Sequence, residues 1–308
     1  MGKIAKLFGI VFLLFVLWLG YVGYSVSQGI SGLHVQWGPV SEERTSIEIN
    51  GSFKRPLYAP VSLKDAEVIF MNETVAKLSR IGYSPTSPEF NGEITIFNGK
   101  MVDAILKYLE NNESGEMVVK IVPALFGILS TKIEVPVPVE EKILESIHLT
   151  AESYETAGIP GAKTPELRDT IVRYDGREED KAVFSTVLVL YNPNPYPILL
   201  AETSYRVWVN GIEVALGEGE GNVVIPAGGT VEVPVKTYVN VSSLPRVWAL
   251  HVENGEESTI KAKLYLRIRL DIPLVGARTE DVELTTIEKT VKTDIMGQIN
   301  SSLPGPNT

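Results

Sequence analysis

Asn192-Pro193-Asn194-Pro195-Tyr196-Pro197 is the stretch on which the reading of this chain turns. It follows the β-branched and leucine-rich run from Val183 to Tyr191. It precedes Tyr205-Arg206-Val207-Trp208-Val209, then Asn210-Gly211, then Ile212-Glu213-Val214-Ala215. Proline has no amide hydrogen and holds φ near −65°, so three prolines in six residues cannot continue a sheet ladder. The residue before each proline is pushed toward extended backbone. The two asparagines can bond nearby backbone groups that the ladder abandons. The chain is therefore expected to run as a long strand, leave the sheet at an extended corner, and return in a hairpin turning at Asn210-Gly211.

Working outward, the same signals recur. Lys261 to Leu270 alternates, with Ala262, Leu264, Leu266, Ile268 and Leu270 on one face and Lys261, Lys263, Tyr265, Arg267 and Arg269 on the other. That is a strand with one packed face and one wet face. Val223 to Ile225, Pro226-Ala227-Gly228-Gly229 and Thr230 to Val235 predict another hairpin. Ser243 is the expected N-cap of a helix whose stripe is Leu244, Val247, Trp248 and His251. In the first half, Ile47, Ile49 and Phe53 alternate with polar residues. Val102, Ile105, Leu106 and Leu109 form a helical stripe at i, i+3, i+4, i+7.

The halves share an order: strand, proline corner with a tyrosine (Tyr58, Tyr196), hairpin with an asparagine (Asn72, Asn210), later strands and a helix. Leu125-Phe126-Gly127 echoes Leu274-Val275-Gly276. This predicts a tandem duplication of mainly β units, each an antiparallel two-sheet sandwich of the immunoglobulin or fibronectin-III kind with one short helix. The expected boundaries are a first, degenerate sandwich over 35–140, a linker over 141–169, a second sandwich over 170–292 and a polar tail over 293–308.

Residues 1–6 carry Lys3 and Lys6. Residues 7–24 are uncharged and, as a helix, reach about 27 Å, close to the hydrocarbon thickness of a bilayer. Trp18, Tyr21 and Tyr24 crowd the far end as interfacial aromatics do, and the basic flank places the N-terminus in the cytoplasm. The expectation is a single-pass cell-membrane anchor, a spacer over 25–34 and the bulk of the chain outside. A cleaved signal peptide is the competing reading.

Composition narrows the chemistry. The chain of 308 residues has no cysteine, which excludes disulfides, zinc–thiolate sites and cysteine nucleophiles. A net charge of −10 argues against binding nucleic acid through phosphates. Gly217-Glu218-Gly219-Glu220-Gly221 is read as a flexible loop, since its glutamates would repel phosphate and no helix follows. Asp175-Gly176-Arg177-Glu178-Glu179-Asp180 is read as a solvated turn. Trp208 is assigned to core or interdomain packing. His148 and His251 have no partner at triad or metal spacing. No catalytic residue, cofactor or metal ligand is assigned. Asn50, Asn72, Asn112, Asn240 and Asn300 stand in glycosylation sequons.

The run Val187 to Ile198, with Tyr205 to Gly211 and Val224 to Gly229, resembles the late embryogenesis abundant group 2 family, also called the water-stress and hypersensitive-response domain. The motif residues are Asn192, Pro193, Asn194, Pro195, Tyr196, Pro197, Asn210 and Gly211. The resemblance covers residues 170–290. The first half has Lys54-Arg55-Pro56-Leu57-Tyr58-Ala59-Pro60 where the motif would stand. The resemblance implies a β-sandwich, a link to desiccation and related stresses, frequent membrane anchoring and a two-domain form like archaeal desiccation-related proteins. It implies no catalytic residues. The expected function is non-catalytic stress protection at the membrane, acting through strand edges and the proline corners. A carrier of a lipid-like ligand and a cell-envelope assembly module are the alternatives.

Overall fold

A computed structural model describes residues 30–53, 61–84, 86–125, 129–140, 142–156, 161–219, 221–272 and 276–302. The proposed anchor over 7–24, the first-half proline corner with Tyr58, and most of the paired Leu125 and Leu274 tripeptides lie outside the described residues. Among those residues no helix is long and apolar enough to cross a membrane. The structure is mainly β, with two antiparallel sheets and a few short helices. The chain divides into two compact units.

Unit 1 comprises Met1–Glu141, Trp248–Glu257 and Lys292–Thr308. Its strands are β1 (Ile30–Val40), β2 (Arg44–Phe53), β3 (Val61–Phe70), β4 (Glu73–Tyr83), β5 (Glu89–Phe97), β6 (Gly115–Leu125), β7 (Leu129–Ser130) and β8 (Ile133–Val139), with helix α1 (Asn98–Glu110) after β5. They pair in the order β1-β2-β5-β4-β3-β6-β7, with β8 also on β6. Unit 2 comprises Lys142–Val247 and Ser258–Val291. Its strands are β9 (Glu166–Glu178), β10 (Lys181–Tyr191), β11 (Ile198–Val209), β12 (Ile212–Gly219), β13 (Val223–Ile225), β14 (Thr230–Asn240), β15 (Glu257–Ile272) and β16 (Gly276–Lys292). Helix α2 (Leu244–Glu253) follows β14, and α3 (Ile295–Ser302) ends the described chain. The order is β9-β10-β14-β12-β11-β15-β16, with β13 on β11.

The two orders match strand for strand from β1/β9 to β6/β15, and a helix follows the corresponding strands β5 and β14. The duplication inferred from the sequence is thus visible in the pairing. Within each unit the strands hydrogen-bond along one continuous path. In unit 2 a single cluster contains Leu167 of β9, Leu190 of β10, Leu266 of β15 and Val282 of β16. Strands at the two ends of the path therefore share one core, which a flat sheet cannot achieve. The alternation along β15 is as expected, with Leu266, Ile268 and Leu270 at 1%, 0% and 0% exposure.

Several boundaries differ from the sequence reading. The described part of 141–169 is not a linker. Ala151 and Leu167 exchange backbone bonds of 2.8 and 2.9 Å, and Ala162 and Thr164 are wholly buried in unit 2. Its apolar residues follow neither a strand nor a helix period, and its prolines and glycines read as a connection. The supposed polar tail is helical over Ile295–Ser302 and belongs to unit 1, as does Trp248–Glu257. Helix α1 buries Met101, Ala104, Leu106, Tyr108 and Leu109, rotated from the stripe drawn through Val102 and Ile105. The anchor that turns it is Tyr108, whose ring lies 5.6 Å from that of Phe70. The cap before α2 is Asn240, whose Oδ1 accepts from the Ser242 amide; Ser243 instead donates to the Asn240 carbonyl.

The two hairpin asparagines are not equivalent. Phe70 faces Glu73 across the first turn, leaving Met71 and Asn72 at φ 49° and 64°. Val209 faces Ile212 across the second, leaving Asn210 and Gly211 at φ 50° and 80°. Both are left-handed two-residue turns, but Asn72 occupies the second position and Asn210 the first.

Gly217 and Gly219 are not in a flexible loop. Both belong to strand β12, facing the interior. A Cβ on Gly217 would lie 2.2 Å from the Tyr205 ring, and one on Gly219 would lie 3.2 Å from Thr203. The glycines make room for an aromatic lying flat against the sheet. Replacing Gly217 by Ala should overpack this contact and cost about 1–3 kcal/mol in urea unfolding. Gly176→Ala, which has open space but φ of 125°, separates backbone strain from overpacking.

Candidate functional site

The motif residues of the proline corner come together, and what they bind is the protein itself. Strand β10 ends at Tyr191, opposite Thr230, yet the Asn192 amide still donates to the Gly229 carbonyl at 2.9 Å. Asn192 Nδ2 donates to the carbonyls of Tyr196 at 2.8 Å, Ile225 at 3.2 Å and Pro226 at 3.2 Å. Its Oδ1 accepts from the Asn194 amide and from Asn194 Nδ2, both at 2.9 Å. Asn194 pairs with the Lys163 backbone as a ladder residue would. Its Nδ2 donates to the carbonyl at 2.7 Å and its Oδ1 accepts from the amide at 2.8 Å. The Gly228 amide closes on the Asn194 carbonyl at 3.2 Å.

Asn192 and Asn194 are 0% and 3% exposed. A carboxamide offers two donors and one doubly accepting oxygen. Both carboxamides are engaged inside the fold, so this corner has none to offer a partner. Pro195 and Pro197 are exposed and carry no amide hydrogen, while Arg168 stacks on Tyr191 beside the corner, 3.6 Å from its centroid. Asn210 is likewise structural. Its Oδ1 accepts from the Thr259 amide at 2.9 Å and its Nδ2 reaches Ser258 at 3.1 Å, tying the hairpin to β15.

Both histidines with no partner in sequence have one in space. His148 Nδ1 lies 2.9 Å from Asp169 Oδ1 on the surface of unit 2. The hydrogen bond to Asp169, then its charge, raise the His148 pKa. An NMR titration should place His148 above the ordinary histidine value of about 6.5, and Asp169→Asn should return it toward that value. His251 Nε2 lies 2.9 Å from Thr293 Oγ1 in unit 1, and Thr293 donates to Glu256 Oε2 at 3.0 Å. Glu256 is 6% exposed. Its carboxylate also accepts from Trp37 Nε1 at 2.8 Å, from the Met296 amide at 3.0 Å and from the Ile295 amide. The last two are the first amides of helix α3, so Glu256 caps that helix. The chain His251–Thr293–Glu256 has the residue types of a triad, but Glu256 is bonded to the helix start and Thr293 is bonded on both sides.

Among the described residues no group of three or more His, Cys, Asp or Glu side chains could hold a metal ion. The stretch 175–180, read as a turn, is the end of β9 with a two-residue turn at Glu179-Asp180, and its carboxylates are separated: Asp175 accepts from Ser185, and Glu178 pairs with Lys236. Buried Thr186 and Thr237 and half-buried Tyr205 form a hydroxyl cluster in unit 2, with 2.8 Å between the threonines. Burial raises the Tyr205 pKa, and the threonine hydrogen bonds oppose it. Trp208 is half-buried, in register with Glu213 and Lys261. It is not among the described residues of the unit 2 core cluster. Two sequon asparagines serve the fold: Asn240 caps a turn, and Asn300 pairs with both backbone groups of Val35 on β1. That bidentate contact shields part of an edge strand.

An open groove of about 810 Å³ lies in unit 1, where the start of β1, the end of β2, the end of β4 and the start of β5 meet. Its described lining includes His34, Asn50, Asn91, Glu89, Phe90 and Tyr83, with Gly32, Gly51 and Gly82 between them. No sequence motif marked it, because its residues come from four strands that the register alone brings side by side.

A family model described as Late embryogenesis abundant protein matches residues 187–285. That span contains the corner, the Asn210 turn and the β13–β14 turn. Comparison with curated proteins finds no match. Among solved structures, a protein from Archaeoglobus fulgidus is 18% identical, covering 42% of this chain and 98% of its own, with a TM-score of 0.32. A candidate late embryogenesis abundant (LEA) protein is 22% identical, covering 45% of this chain and 76% of its own, with a TM-score of 0.23. A conserved domain protein from Bacillus anthracis is 10% identical, covering 85% and 88%, with a TM-score of 0.22. The family match lies in the second half of the chain and covers about a third of its length.

Proposed function

We propose that this protein is a non-catalytic, membrane-anchored protein of water-stress protection, group 2 in kind, holding two sandwich-like β units outside the cell. The observation that carries the reading is the family match over residues 187–285. The anchor rests on the sequence alone: residues 7–24 are uncharged and follow Lys3 and Lys6. The duplicated strand order supports two units of one kind, and in unit 2 the end strands share one core. The archaeal two-domain resemblance belongs to the same reading.

Two measurements test it separately. Deleting the gene should lower survival after drying or salt shock, and unchanged survival would remove the protective role. Protease added to intact cells should degrade the units but spare the N-terminus. Protection of the units, or recovery of full-length chain in the soluble fraction, would remove the anchor and its orientation.

A further inference from the structure

Strand β1 stands at one end of the unit 1 path, so one of its backbone edges has no strand beside it among the described residues. Such edges are ordinarily blunted by charge or by proline. In unit 2 the end strands β9 and β16 carry charges along their length, among them Arg168, Asp169, Arg173, Glu280 and Asp281. In unit 1, β8 carries Pro136 and Pro138. β1 reads ISGLHVQWGPV and holds no Asp, Glu, Lys or Arg. Its pairing with β2 is regular from Gly32 to Trp37 and irregular on either side, so Pro39 falls outside the regular part.

What stands on that edge is a side chain. In an antiparallel strand the N–H and C=O of one residue point to one edge, and those of the next residue to the other. The Val35 amide donates to Asn300 Oδ1 at 2.9 Å, and Asn300 Nδ2 donates to the Val35 carbonyl at 2.7 Å. Both groups of Val35 therefore point away from β2, and by alternation so do those of Leu33 and Trp37. Asn300, in helix α3, makes the two bonds that a facing residue of a neighbouring strand would make. The same helix is held at its start by the Glu256 carboxylate.

We infer that β1 is a homodimerisation edge held shut by α3: with Asn300 withdrawn, two copies of this chain pair antiparallel through Leu33–Trp37. A twofold axis at Val35 sets Val35 against its own copy, Leu33 against Trp37 and His34 against Gln36 of the second chain. Leu33, Val35 and Trp37 of each chain then bond backbone to backbone across the axis. The phase is right for self-pairing. Val35 is buried and Leu33 and Trp37 are half-buried on one face, while His34 and Gln36 are exposed on the other. No charge on the strand opposes its own copy, and an edge without charge selects no charged partner. The inference does not depend on the proposed stress role.

The chain has no cysteine, so introduced thiols stand alone. In this register His34 and Gln36 form a non-hydrogen-bonded pair with Cα atoms about 4.5 Å apart, close enough for a disulfide. Full-length His34→Cys and Gln36→Cys chains, solubilised in mild detergent, mixed and gently oxidised, test the pairing. In the Asn300→Ala background the mixed cross-linked dimer should be about tenfold more abundant than with Asn300 in place, since two hydrogen bonds no longer hold the edge. Either variant by itself should cross-link far less, because each thiol lies diagonally from its own copy. Sedimentation should show Asn300→Ala as a dimer and Asn300→Ala/His34→Lys/Gln36→Lys as a monomer, since lysines then face each other across the axis. Equal cross-linking with and without Asn300 would overturn the inference. So would association that survives the two lysines, or cross-links as frequent within one variant as between the two, the pattern that general unfolding produces.

Discussion

Asn192→Ala should be the most damaging single substitution in unit 2, lowering its stability by about 3–4 kcal/mol. The side chain donates to Tyr196, Ile225 and Pro226 carbonyls and accepts twice from Asn194, all at a position with no solvent exposure. Truncation takes the Asn192 partner away from these carbonyls and from the Asn194 amide in a corner where both asparagines are buried. Asn192→Asp keeps the shape but replaces the donor with an acceptor, aiming a carboxylate at three carbonyls. It should be at least as damaging. Calorimetric melting of the full chain would show the unit 2 transition falling by roughly 10 °C. A shift of under about 2 °C for either variant would mean that the corner is not the clamp described. Pro195→Ala, at an exposed position outside this network, is the control expected to sit near wild type.

Acid should release helix α3 from unit 1 before it unfolds the rest. Burial pushes the Glu256 pKa up, but hydrogen bonds from Met296, Ile295, Trp37 and Thr293 outweigh it, so the group ends below the ordinary carboxylate range. A depressed carboxylate contributes stability at pH above its unfolded value, and that contribution is lost as pH falls through the folded value. His251 acts in the same sense. Burial lowers its pKa, with Glu256 pulling the other way, so the folded state favours neutral imidazole. Its contribution is therefore lost from about pH 6.5 downward. Protection factors of the Ile295 and Met296 amides, taken against the intrinsic exchange rate at each pH, should fall in two stages on acidification, first through the histidine range and then below the carboxylate range. Glu256→Gln should open both amides at neutral pH and cost about 2–3 kcal/mol, since one oxygen cannot serve the donors that two now serve. Protection of those amides that is equal in wild type and Glu256→Gln at pH 7 would refute the cap.

The same segment shows how unit 1 uses residues distant in sequence. Trp248 Nε1 donates to Thr45 Oγ1 at 3.0 Å, Thr45 donates to Asn98 Oδ1 at 3.0 Å, and Asn98 Nδ2 donates to the Ser41 and Glu42 carbonyls. Trp37 meets Trp248 edge-on, with centroids 6.0 Å apart. None of these partners shares a local motif with another. A helix stripe drawn through Trp248 and His251 shows that the two are neighbours on one turn, but not what they touch.

The amino-acid sequence by itself determined the strands, the left-handed hairpin at Asn210-Gly211, the exit from the sheet at Asn192 and the repetition of one plan. Those features follow from period-two alternation, proline's missing amide and the backbone freedom of Asn and Gly, all of which act within a few residues. Only the tertiary structure decided that residues 142–169 complete unit 2, that Glu256 caps a helix some forty residues further on, and that Gly217 and Gly219 shelter Tyr205 and Thr203 within a strand. Such facts depend on strand register and on volumes left empty or filled between distant residues, and a glycine in a sequence looks the same whether it ends a strand, bends a loop or floors a groove.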